Sequence, residues 1–145
     1  MAAFRSTRDD DAPAWVVKQK AAVTGVEDMT MLVDPSVTGI IKNLDARLRS
    51  DAIYSYIGHV LCVCNPYKWL AVYGPETIKY YERKQRVDAP PHVFAVAEGA
   101  YRSMISEEEK QCVIISGESG AGKTEASKQI QNYIAAVSSA SSSSS

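Results

Sequence analysis

Cys112-Val-Ile-Ile-Ser-Gly-Glu-Ser-Gly-Ala-Gly-Lys-Thr124 joins a short apolar, β-rich run to a complete G-x-x-x-x-G-K-[ST] loop. The spacing has a mechanical reason. A strand must deliver the chain to a tight turn whose successive backbone N–H groups converge on phosphate oxygens. Gly117, Gly120 and Gly122 suit that turn, because a Cβ would block either the backbone angles or the approach of phosphate. Glu118, Ser119 and Ala121 supply the amides between them. Lys123 is expected to reach the β- and γ-phosphates, and the Thr124 hydroxyl to ligate Mg²⁺. Cys112–Ser116 reads as a buried parallel strand. After the loop, Ala126, Ile130, Tyr133, Ile134 and Val137 recur at spacings of three and four, one face of a helix whose positive end lies near Lys123. A Gly-rich turn that binds nothing has no need of both flanks. The pattern implies a nucleoside triphosphate with Mg²⁺.

Size and charge narrow the class. The chain has 145 residues, a net charge of −1 and 46% hydrophobic residues, enough for a core. With no basic excess, a nucleic-acid partner has no compositional support. No apolar stretch is long enough to span a bilayer, and no signal-peptide pattern opens the chain, so a cytoplasmic location is expected. Cys62, Cys64 and Cys112 lack the companions of a metal site and read as reduced core thiols.

Upstream elements follow from local patterns. Asp34-Pro35 opens a helix, with Asp34 as cap and Val37, Ile40, Ile41, Leu44 and Leu48 on its inner face. Ile53–Ile57 and Val60–Cys64 flank Gly58-His59 as a β-hairpin, closed by Asn65-Pro66. Tyr54 and Tyr56 share a face suited to packing. A helix is expected from Gly74-Pro75-Glu76 to about Arg83. Another follows Pro90-Pro91, with Val93, Val96, Ala97, Ala100, Tyr101, Met104 and Ile105 inward. Glu107–Glu109 reads as a solvated turn, and His59 and His92 as structural or exposed.

The order is an N-terminal helix, a hairpin, two helices, then strand, phosphate loop and helix: an α/β arrangement of the P-loop NTPase type with an incomplete sheet. Hydrolysis also needs a second carboxylate-bearing strand for Mg²⁺ and a group that positions water. Neither is visible in the sequence, so the chain reads as the front portion of something larger, and no complete catalytic set is expected in it. A GTPase would add an Asn-Lys-x-Asp reader and a small nucleotide kinase an arginine-rich lid; the sequence has neither.

Several motifs together resemble a myosin motor head, most of all the class I myosins. They are Cys112–Lys128, Tyr54-Ser-Tyr-Ile-Gly-His-Val-Leu-Cys-Val-Cys-Asn-Pro-Tyr-Lys-Trp-Leu70, and Pro90-Pro-His-Val-Phe94 with Tyr101. The likeness runs from about Gly25 to Val137. It implies that Asn65, Pro66, Lys68 and Tyr73 form the adenine-side loop, with Ala71 where the family usually has proline. It also implies an ATP-hydrolysing motor on actin filaments, in the cytoplasm and actin cytoskeleton, whose actin-contacting surface lies outside this chain. Residues 1–14 are then expected to be a disordered arm, 15–137 the nucleotide-binding portion of the motor domain, and 138–145 a disordered serine-rich tail.

Overall fold

In the computed structural model, residues 11–22 and 24–142 are described. Their order is α1 (Ala14–Ala22), a 3₁₀ turn (Met29–Met31), α2 (Val37–Arg49), β1 (Tyr54–Ile57), β2 (Val60–Val63), α3 (Pro75–Tyr81), a 3₁₀ turn (Arg86–Asp88), α4 (Val93–Glu107) and α5 (Lys123–Ser142). Residues 1–10 of the expected arm lie outside the described residues. Its last part is not an arm: Pro13 is buried, and its carbonyl accepts from Val16 N at 2.9 Å to start α1. The sequence reading missed α1, which has no capping signal. Its place comes from tertiary contacts: Val16 is fully buried, and Trp15 Nε1 donates to Thr77 Oγ1 at 3.0 Å.

Helix α2 forms where expected but is capped and rotated differently. Ser36 is the cap, its hydroxyl accepting from Gly39 N, while Asp34 Oδ1 accepts from Ser36 N. Val37 and Ile41 are 74% and 60% exposed, and the buried positions are Gly39, Asn43 and Arg47. Polar anchors set that rotation. Asn43 Oδ1 accepts from Val26 N at 2.8 Å and its Nδ2 donates to Val26 O at 3.1 Å. Arg47 donates to Ser55 Oγ and to the Tyr54 carbonyl. An apolar stripe cannot outbid buried polar groups that must be paired.

The hairpin has the expected two-residue loop, with Ile57 opposite Val60 and Tyr54 opposite Val63. Tyr54 and Tyr56 are buried as expected. Among the described residues these two strands form the only sheet. Cys112–Ser116 is therefore not a strand: it has no ladder partner, and Ile114 is 86% exposed. A parallel strand exists only beside a neighbour, and none of the described segments supplies one. Cys112 is exposed for the same reason, so it is not a core thiol, whereas Cys62 and Cys64 are half-buried and free.

Helix α4 is capped by His92, whose Nδ1 accepts from Phe94 N at 3.0 Å. Its inner face is Val93, Phe94, Ala97 and Glu98, while Met104 and Ile105, expected inside, are 41% and 62% exposed. The expected tail is helical through Ser142. Ser138 and Ser139 hydroxyls donate to the Ala135 carbonyl and so continue α5 instead of breaking it. Residues 143–145 lie outside the described residues.

The core is a ring cluster around His92, whose imidazole lies 4.7–5.6 Å from the rings of Trp15, Tyr54, Tyr73, Tyr81 and Phe94. Burial lowers the His92 pKa to about 3, and the Val72 backbone only partly offsets this. The unfolded imidazole titrates near 6.5, so folding favours the neutral ring. That stability is fully present above pH about 6.5 and is lost as pH falls toward 3, by up to about 1.4 kcal/mol per pH unit. Urea midpoints measured from pH 7 to pH 4 should fall more steeply for the parent than for His92→Asn, which keeps a capping acceptor. Parallel profiles would show that the ring does not titrate on unfolding.

Candidate functional site

The segment 117–124 turns tightly just ahead of α5 and into its first turn. Gly120 and Gly122 have φ values of +81° and +96°, which side chains rarely adopt. Nothing lies within 4 Å of where a β-carbon at Gly122 would stand. Ala121 N donates to Glu118 O at 3.2 Å, and Ala126 N to Gly122 O at 3.0 Å, so the turn runs straight into the helix. Lys123 Nζ folds back over the turn and donates to the carbonyls of Gly117 at 2.6 Å and Glu118 at 2.8 Å. Glu118, Ser119 and Thr124 are exposed. Thr124 lies in the first turn of α5, followed by Glu125, whose carboxylate accepts from Gln129 Nε2 at 2.6 Å.

The adenine-side candidates divide. Asn65 reaches the loop directly, donating from Nδ2 to Gly120 O at 2.7 Å. Half-buried Pro66 follows it. Lys68 pairs instead with Asp51 at 2.5 Å, at the end of α2. The Tyr73 hydroxyl bonds that of Tyr54 at 2.6 Å. Burial raises the pKa of both phenols, and the nearby Glu125 charge adds to this, so both stay protonated. Asn65 is thus in contact with the phosphate-loop candidate, whereas Lys68 and Tyr73 are engaged by neighbouring elements.

What holds the loop's helix in place is a residue the sequence reading passed over. Glu98 on α4 is 3% exposed. Its Oε2 accepts from the Tyr133 hydroxyl of α5 at 2.8 Å, and its Oε1 from Arg83 N at 2.6 Å and Arg102 Nε at 2.7 Å. Its signal was a carboxylate within the row Phe94, Ala97, Glu98, Tyr101, where an apolar residue would otherwise stand. Tyr67 was also passed over. Its N–H donates to Asn65 Oδ1 at 2.9 Å, and its hydroxyl is the nearest group to a β-carbon position on Gly120. Among the described residues no group of three or more His, Cys, Asp or Glu could hold a metal, and no helix is long and apolar enough to cross a membrane.

Known proteins resemble this chain closely. The family model of the myosin head (motor domain) matches residues 26–145. A Myosin IC heavy chain of Acanthamoeba castellanii is 58% identical over 117 residues, covering 80% of this chain and 10% of that protein. A Myosin IC heavy chain of Dictyostelium discoideum is 53% identical over 127 residues, covering 87% of this chain and 11% of that protein. A Myosin-1 of Malassezia globosa is 50% identical over 124 residues, covering 86% and 9%. The chain therefore spans about a tenth of the length of these relatives. The class I likeness read from the motifs agrees with their names. With a match of this extent, the chain belongs to the myosin head (motor domain) family.

Proposed function

We propose that this chain is the ATP-binding portion of an actin-based cytoskeletal motor. In this reading Gly117–Thr124 cradles the polyphosphate, Lys123 neutralises its β- and γ-oxygens, and the Thr124 hydroxyl is one ligand of Mg²⁺. Asn65, Pro66, Lys68 and Tyr73 line the nucleoside side. Bound Mg²⁺ supplies charge neutralisation on the phosphates.

The observation that carries the reading is the loop itself. Two left-handed glycines keep β-carbons out of the turn, and the one cation of the loop stands over it with its ammonium on the Gly117 and Glu118 carbonyls. A triphosphate offers that ammonium stronger partners than peptide carbonyls, because its oxygens carry formal negative charge and add ion–ion attraction to the hydrogen bond. The helix dipole of α5 acts in the same sense. Movement on actin, and a place in the cytoplasmic actin cytoskeleton, are proposed for the longer protein that the relatives represent.

In this reading these residues bind the nucleotide without completing hydrolysis, which also needs a second carboxylate-bearing strand for Mg²⁺ and a group that positions water. The purified chain is expected to bind ATP weakly, more tightly with Mg²⁺ than without. It is expected to release no phosphate in response to filamentous actin. Calorimetry with and without Mg²⁺, and a phosphate-release assay across an actin series, test this. Binding indifferent to Mg²⁺, or turnover that rises with actin, would sink the respective half.

A further inference from the structure

We infer that Asn65 is a positioning residue, a latch that stops the Gly120–Ala121 peptide from flipping; the consequence for ligand binding rests on the phosphate-loop reading above. Both ends of its amide are committed. Tyr67 N–H donates to Oδ1 at 2.9 Å, which fixes the oxygen toward residue 67 and leaves Nδ2 facing the Gly120 carbonyl at 2.7 Å. Tyr67 itself has a left-handed φ of +49°, so residues 65–67 form a tight Asx turn around the Asn65 side chain.

The contact matters because of where it falls. In a trans peptide the C=O and the following N–H point in opposite directions. Holding the Gly120 oxygen outward on Asn65 therefore points the Ala121 N–H the other way, into the loop, where it meets Glu118 O at 3.2 Å. Glycine permits both orientations of that plane at little cost, since nothing at Gly120 itself selects one. Without the latch, only the Ala121–Glu118 bond holds that plane, and the amide turns out of the loop, away from an anion, more often. The second hold comes from a residue 55 positions upstream.

Asn65→Ser separates this role from its alternatives. Serine still accepts from the second amide along, though more weakly, adds no charge, and is one bond too short to reach Gly120. In the ligand-free chain, hydrogen exchange at the Ala121 amide should quicken roughly tenfold, the scale of one hydrogen bond, with α4 amides unchanged. Inorganic tripolyphosphate should weaken by a factor of about 5–30, and ATP by at least as much. Tripolyphosphate affinity unaffected while ATP affinity falls would confine Asn65 to the nucleoside side and overturn the latch. Unchanged Ala121 exchange would also overturn it. Lys123→Ala judges the underlying reading separately. If tripolyphosphate binds that variant as well as the parent, the loop is not the phosphate site, while the Ala121 exchange still decides the latch.

Discussion

Replacing Lys123 by alanine is expected to abolish measurable ATP binding, with a loss on the order of a hundredfold in affinity. A hydrogen bond to a charged group contributes about 1.5–3 kcal/mol, and two phosphates would be served by this ammonium. About 3 kcal/mol corresponds to roughly two decades in Kd. The fold should not suffer. The side chain bonds only exposed loop carbonyls, at Gly117 and Glu118, so thermal unfolding of the variant should track the parent. Calorimetry on the two proteins decides the matter. Equal ATP affinity would mean that residues 117–124 form a turn without a ligand.

The second large effect is on stability. Glu98→Ala should destabilise the chain by about 3–5 kcal/mol, the range for breaking a buried charged contact and leaving its partners bare. Three donors converge on this carboxylate, and one of them, the Tyr133 hydroxyl, is buried with it. Tyr133→Phe removes one bond and should cost about 1 kcal/mol. Urea titrations of the three proteins measure both. A Glu98→Ala change below about 0.5 kcal/mol would place that residue with ordinary surface positions.

Local chemistry made much of this chain legible. The Gly58-His59 turn between two β-rich runs specified the hairpin, and the proline starts at 75 and 90–91 specified α3 and α4 to within about two residues. What escaped was set at long range. Helix α2 turns its apolar Val37 and Ile41 to solvent because Asn43 and Arg47 must reach Val26, Tyr54 and Ser55. No periodicity count can weigh such bonds. Helix α1 exists because Val16 and Trp15 find places against distant elements. The Cys112–Ser116 run has strand composition, yet a ladder is a property of two segments, and composition speaks for one. At the candidate site, the motif marks the glycines, Lys123 and Thr124 directly, and they share one turn at the start of α5. The Asn65–Gly120 contact and the Glu98–Tyr133 tie involve residues 55 and 35 apart, and nothing in either local pattern names its partner.

Among the described residues, the run into the loop has no ladder partner, and Ile115 is its residue that packs on the core. The turn therefore hangs like a hook from its far end, moored through Tyr133 and steadied by one upstream side chain. Slack should concentrate on the entry half, ahead of Gly117, while the exit half rides rigidly with its helix. A ligand seated there would be gripped firmly on one side and would have to draw the other side in.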